Sequence, residues 1–378
     1  MSDLAPFIPA ILRGLSLSKR ADDMLVIVDR WITNAEHLEK VARFLGNQDN
    51  FDAERIKSLL AASIESECTD AIFEVLEACI KLYDADDSGK AKELFLECIN
   101  YFTANKDARW LNHAWIFVHK TKLFDQLSAD EVANVLDNLI YRPKIDYHDE
   151  TLLEVFAKED PNAVIKYFDS RLIYGREIDE DESEVAYIDQ YEPVPFDFQK
   201  LNTVLSTQPQ LMLDYSIKWY CESKTLFSFR GGRFVSNVFV EVTTDFRDKL
   251  IAHVKSGNID HVDMVLAILR NYKGEVTLHP VCREIVLEIS EDDQNRRTEV
   301  RIILESTGVV SGEYGFAEAY SRKKEAIKPW LEDKDEKVRK FAIEYVHVLE
   351  QQIASARRRA EQSIESRKRD YGEDDNSN

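Results

Sequence analysis

Two sets of cations carry the chemistry in this chain most open to a ligand. The first is Arg230-Gly231-Gly232-Arg233, with Phe227, Phe229 and Phe234 around it. Two guanidinium groups beside backbone free of side chains can cradle a carboxylate or a phosphate, and the rings can stack on a base or fill a core. The same residues also read as an interhelical turn whose arginines pair with an acidic surface. The second set is Arg357, Arg358, Arg359, Arg367, Lys368 and Arg369. At helical spacing Arg357 with Glu361 and Glu365 with Arg369 form i,i+4 pairs, so this stretch reads as a solvent-exposed helix. Such a helix docks a partner, contacts an anion or simply caps the fold.

Other chemistry fails on spacing. Asp84-Ala85-Asp86-Asp87-Ser88-Gly89 opens like a calcium-binding EF-hand loop, yet Phe95 stands at the twelfth place, where a bidentate Glu is needed. An acidic turn between two helices is what remains. Ser88-Gly89-Lys90 lacks the upstream glycine of a phosphate-binding loop, and Ala91 replaces the Ser or Thr that would hold magnesium. The histidines include no H-E-x-x-H pattern, and His113 and His119 do not share a helical face. No G-x-S-x-G nucleophile elbow occurs. The expectation is a nonenzymatic protein with no cofactor and no bound metal.

The elements that must carry the cations follow from composition. Among 378 residues only 12 are Gly and 9 are Pro, so turns are short and helix breakers few. An all-β chain would need frequent Gly/Pro punctuation, and alternating βα units would need repeated β-branched runs. The net charge of −21 opposes nonspecific contact with phosphate backbones, which disfavours nucleic acid and leaves a protein partner as the expected one. The charge is unevenly spread: residues 321–371 hold 14 Lys/Arg against 10 Asp/Glu, so a basic end sits on an acidic body. Cys68, Cys79, Cys98, Cys221 and Cys282 lack any C-x-x-C pair, which fits reduced thiols packed on helix faces. The opening residues have neither the basic nor the apolar part of a signal peptide, and no apolar run approaches a membrane span, so a soluble cytoplasmic protein is expected.

Helical periodicity runs along most of the chain. It predicts helices over 7–17, 21–33, 35–46, from Asp52, and over 68–83, 90–102 and 108–119. Ser128-Ala129-Asp130-Glu131 has the form of a capping box, and Asp160-Pro161 sets a capping acid before a first-turn proline. An acidic run over 177–184 and Pro193 and Pro195 predict a long loop over 176–196, read as a mobile linker or a functional segment. Helical spacing resumes over 198–205, 209–222, 235–254, 259–269, 276–289 and 299–305, although Val238, Phe239, Val240, Val242 and Thr243 also suit a short strand.

The most legible unit is Lys328-Pro329-Trp330-Leu331-Glu332-Asp333-Lys334-Asp335. A helix ends near Trp330, the polar residues turn the chain, and Asp335 caps a second helix whose apolar stripe is Val338, Phe341, Ala342, Tyr345, Val346, Leu349 and Ile353. Helix–loop–helix units bury their apolar faces by stacking on one another. The predicted fold is therefore all-α, a right-handed α-solenoid of HEAT-like helix pairs with a long C-terminal helix. Its parts would be N-terminal repeats over 1–175, the loop over 176–196, C-terminal repeats over 197–334, a capping helix with a basic extension over 335–371, and an acidic disordered tail over 372–378.

Ser306-Thr307-Gly308-Val309-Val310-Ser311-Gly312-Glu313-Tyr314-Gly315-Phe316-Ala317-Glu318-Ala319-Tyr320, the unit from Trp330 to Tyr345, and the stretch from Arg358 to Glu373 together resemble the C-terminal helical-repeat regions of large bacterial NACHT/STAND-type NTPases. Asp160 to Phe168 and Tyr191 to Phe198 are similar to the same region. The resemblance implies a recognition arm of the kind used in antiphage defence or signalling. The phosphate-loop motif is absent, so ATPase activity is not implied. The function expected is a protein–protein recognition or scaffold module, with nucleic-acid binding through the basic C-terminal helix as the alternative.

Overall fold

The computed structural model describes residues 7–18, 21–86, 88–180 and 191–372, and every regular element among them is helical. The chain divides into two compact units, Met1–Val204 and Leu205–Asn378.

The first unit runs through α1 (Ile8–Ser16), α2 (Ala21–Trp31), α3 (Leu38–Leu45), α4 (Ala53–Glu65), α5 (Thr69–Leu82), α6 (Lys90–Ala104), α7 (Leu111–Ala114), α8 (Ala129–Leu139), α9 (Tyr147–Glu159) and α10 (Pro161–Glu180), and α11 (Leu201–Leu205) ends at its boundary. Local chemistry sets the starts. The Asp52 carboxylate accepts from the Arg55 amide to open α4, and Ser128 and Glu131 form the reciprocal capping box of α8. Packing then follows chain order: α3 lies on α1, α4 and α5, α4 and α5 both lie on α6, and α6 lies on α8, which meets α10. Phe95, Phe102, Trp110, Phe156 and Phe168 fill the interior. Trp110 keeps its indole N–H satisfied there by donating to Asn138 Oδ1 at 2.6 Å, while Asn138 Nδ2 donates to the Asp107 carbonyl at 3.0 Å.

The predicted loop is shorter than its sequence suggests. α10 continues through Arg176 to Glu180, so residues 177–180 are helical, while 181–190 lie outside the described residues. Residues 191–200 then fold back onto the first unit. Arg171 on α10, fully buried, donates to the carbonyls of Leu139, Ile140 and Arg142 at the end of α8 and to those of Glu192 and Pro193, at 2.6–3.2 Å. The Tyr191 ring covers its guanidinium at 4.6 Å. The stretch around Pro193 is thus tied into the first unit by one arginine, as a helix end with orphan carbonyls requires. Buried Glu150 on α9 holds the next residues by accepting from the Gln199 and Lys200 amides at 3.0–3.1 Å, and burial pushes its carboxyl above the usual range.

The second unit holds α12 (Pro209–Glu222), α13 (Lys224–Leu226), α14 (Gly232–Val238), α15 (Thr244–Val254), α16 (Ile259–Leu269), α17 (His279–Glu288), α18 (Gln294–Glu305), α19 (Gly315–Ile327) and α20 (Glu336–Gly372). Here helices pack on others a few positions along the chain: α12 lies on α15 and α16, α14 on α16, α15 on α16 and α17, and α17 on α18 and α20. α19 and α20 share the most extensive packing in the unit. The Asp335 carboxylate accepts from the Lys337 amide at 2.9 Å and so opens α20. Asp335 is itself steadied through Asp333, which Arg283 clamps with two bonds of 2.7 and 2.8 Å. Residues 373–378, the expected tail, lie outside the described residues.

Two local expectations are corrected. The helix expected over 235–254 is broken and no strand replaces it: Val238 ends α14, Phe239 and Val242 plug the core from the loop that follows, with Phe239 stacked on Phe246 at 3.9 Å, and the Thr243 hydroxyl caps α15. Arg230-Gly231-Gly232-Arg233 is not an interhelical turn or an open cradle. It spans a π-helical turn, Phe227–Gly231, that passes directly into α14. The glycines serve packing. A Cβ on Gly232 would lie 2.6 Å from the Ala267 carbonyl oxygen of α16, and one on Gly231 would meet the Phe227 ring at 2.3 Å. Gly232→Ala should therefore push α14 off α16 and cost about 1–3 kcal/mol, read as a lowered urea midpoint, whereas the exposed Ser228→Ala should be nearly silent.

Candidate functional site

The helix α20 changes character part way along its length. In its first half Val338, Phe341, Ala342, Tyr345 and Leu349 are buried, and several of its charges meet opposite charges on neighbouring elements. Glu344 meets Arg297 of α18 at 2.9 Å, Glu350 meets Lys324 of α19 at 2.6 Å, and Lys340 lies 3.4 Å from Glu291. Beyond Ile353 only Ala360 is buried among the described residues. Arg357, Arg358, Arg359, Lys368 and Arg369 are exposed, and none has a carboxylate within ion-pair distance among the described residues. The expected Arg357–Glu361 and Glu365–Arg369 pairs are not formed. Their i,i+4 spacing is right, but side chains on a fully exposed helix gain little by closing such a pair.

Arg367 is the exception, reaching Glu313 ahead of α19 at 2.5 Å. That pair closes one end of a cleft of about 440 Å³ between α19 and the second half of α20. Phe316 and Tyr320 of α19 form one wall, their rings stacked 6.4 Å apart, and Phe316 is 53% exposed. Small residues of α20, Ser355, Ala356, Ala360 and Ser363, form the other wall, with Arg359 at the rim. The cleft exists because these side chains are too short to fill the space that Phe316 and Tyr320 hold open. Val309, 97% exposed, adds an apolar residue on the loop leading to α19. An apolar floor beside unpaired guanidinium groups can take an apolar side chain and an adjoining carboxylate together.

The structure does not gather all the predicted cations into one place. Arg230 and Arg233 are half-buried on the π turn and α14, which pack on α12 and α16, whereas the other six lie on α20. The residues that periodicity alone did not single out are Phe316, Tyr320 and Glu313. Their signal was weak because a helix over 315–327 is apolar on the face it buries and exposes its aromatic residues only at one end.

The calcium-like and phosphate-like motifs have other duties. Asp86 accepts from the Ser88 and Ala91 amides at 3.1 and 2.6 Å and so opens α6, and Lys90 pairs with Glu93 at 2.7 Å. Asp87 and the side chain of His113 lie outside the described residues. Among the described residues no group of three or more His, Cys, Asp or Glu is placed to hold a metal ion. No helix among them is long and apolar enough to cross a membrane. Cys79, Cys98 and Cys282 are buried free thiols, and burial pushes each of them up from its ordinary pKa. Set against known proteins, the chain matches no family model and no curated protein.

Proposed function

We propose that this chain is a nonenzymatic α-helical repeat protein that recognises a protein partner through the cleft beside α20 and the unpaired cations of Arg357, Arg358, Arg359, Lys368 and Arg369. The observation that carries the reading is the exposed run of cations in the second half of α20: Arg357, Arg358, Arg359, Lys368 and Arg369 meet no carboxylate among the described residues in a chain of net charge −21, whereas in the first half Lys340 pairs with Glu291 and Glu336, and Lys337 and Arg339 donate to backbone carbonyls. A helix with five unmatched cations beside an apolar cleft suits an acidic segment that also carries an apolar anchor. Helices that pack on others close to them in the chain inside each unit support reading the fold as stacked HEAT-like helix pairs, a right-handed solenoid as the sequence predicts. On the resemblance to the repeat regions of NACHT/STAND-type proteins, the setting is a cytoplasmic bacterial defence or signalling system, with this chain as the recognition or scaffold element.

The test compares affinity capture from the native host using the full chain and its Arg357→Glu/Arg358→Glu/Arg359→Glu variant. A specific protein held at physiological salt by the first and lost by the second is the expected result. Equal recovery by both rules the arm out. The same five cations favour one alternative, a nucleic-acid partner. That reading requires affinity for single- or double-stranded probes to fall steeply with salt, with a log–log slope of roughly −0.7 to −0.9 per phosphate contacted. Capture of nucleic acid alone, with that slope, would replace the protein reading.

A further inference from the structure

A second cleft in the Leu205–Asn378 unit, about 350 Å³, lies between α19 and the segment joining α16 to α17. Its lining includes Lys273, Arg322, Lys323, Glu275, Thr307 and His279. Three cations face one carboxylate, in a chain whose acids outnumber its bases by 21. Elsewhere in this unit arginines are clamped: Arg283 by Asp333, Arg296 by Asp263 and Asp293, Arg270 by Glu299. Lys273, Arg322 and Lys323 have no carboxylate within ion-pair distance among the described residues.

Lys323 is the centre of this cleft. Its ammonium is half-buried and donates to the backbone carbonyls of Lys273 and Gly274. Two carbonyls use two of its three N–H donors and leave the third for a ligand. Burial lowers its pKa, and nearby Glu275, the one carboxylate lining the cleft, opposes that shift without pairing with it, so the desolvated cation is only partly offset. The approach depends on a glycine. Gly274 has φ +62°, and a Cβ there would lie 2.7 Å from Lys323 Nζ and 2.6 Å from the Ile303 carbonyl oxygen. Arg322, the next residue on α19, is exposed, and Lys273 comes from the opposite wall. Thr307 adds a neutral polar residue to the lining. Burial holds His279 near pKa 4, so its ring is neutral at pH 7 and supplies a polar edge without charge.

We propose that this cleft binds a phosphoryl group on a small molecule, with Lys273, Arg322 and Lys323 as the cations that receive it. A tetrahedral dianion presents three oxygens to donors from three directions, which a carboxylate with two coplanar oxygens does not. The cleft is larger than one phosphate, so a monoester with a small organic group fits as well as the free ion. Occupancy is independent of the surface beside α20, because none of the cations is shared.

Calorimetric titration of the full chain with inorganic phosphate, at constant ionic strength set with chloride, tests this directly. One saturable site is expected. Arg322→Glu, an exposed substitution on a helix, should weaken it at least about tenfold (about 1.4 kcal/mol) while the circular dichroism stays unchanged. Lys323→Met should abolish it, and its urea midpoint separates lost binding from lost folding. Glycerol phosphate in a second titration identifies the source: tighter binding than phosphate assigns the site to a monoester, and equal binding to the free ion. Either order supports the site. Absence of saturable phosphate binding, an Arg322→Glu isotherm equal to wild type, or acetate binding as tightly as phosphate overturns it.

Discussion

Arg171→Met is expected to destabilise the Met1–Val204 unit by about 3–5 kcal/mol, the scale at which removing one partner exposes a buried, fully committed polar network. The methionine fills most of the volume but donates nothing. It leaves the carbonyls of Leu139, Ile140, Arg142, Glu192 and Pro193 without the donor they share, and those of Leu139, Arg142 and Pro193 lose a bond made in a buried place. It also frees Tyr191, whose ring covers the guanidinium and whose hydroxyl donates to the Ile140 carbonyl at 2.8 Å. Urea unfolding measures the loss. Arg171→Lys should recover less than half of it, because a point ammonium with three donors cannot span carbonyls that a planar fork with five reaches. A methionine variant within 1 kcal/mol of wild type would show that the carbonyls find other donors.

A second large effect is expected on acidification. His279 is 8% exposed, packed edge-on against Trp330 at 5.8 Å, and burial, aided by nearby Lys323, lowers its pKa from 6.5 to about 4. The unfolded chain therefore takes up the proton first as pH falls. Stability is undiminished above pH 6.5, declines between 6.5 and about 4, and loses nothing more from this group below that. The span of the shift corresponds to about 3 kcal/mol. Carboxylates titrate in overlapping windows, Asp333 among them, held down to about 2 by the Arg283 guanidinium. The measurement is thus a difference: urea midpoints of wild type and His279→Gln at pH 7 and pH 4.5. The variant should lose markedly less stability between the two, and parallel losses would sink the assignment.

Much of the helical content was legible because its causes are local. α12 and α16 begin and end where periodicity and capping predict, and the capping boxes write their own starts. Where the local signal was thin, the reading failed. α9 opens with Asp146 and Asp149 in a capping box that uses a second aspartate where Glu or Gln is usual, and it was passed over. The 108–119 stretch has helical spacing but holds only the short α7 and a 3₁₀ turn. The pair of glycines at 231 and 232 carried the wrong meaning. By sequence they mark a turn, whereas the close approach of Phe227 and of the α16 backbone makes them a packing requirement inside a helix.

The sequence by itself determined that this chain is helical, where most helices begin, and that its C-terminal end is basic on an acidic body. Those properties depend on spacing along the chain and on summed charge, which need no partner element. Only the tertiary structure decided which cations are spoken for. Arg283, Arg296 and Arg297 look no different in sequence from Arg322 or Arg358, yet the first three meet carboxylates 33–50 residues away and the last two meet none. An ion pair is a property of two positions brought within a few ångströms by packing. The unmatched cations beside α19 and along α20 therefore emerge only once the helices are stacked.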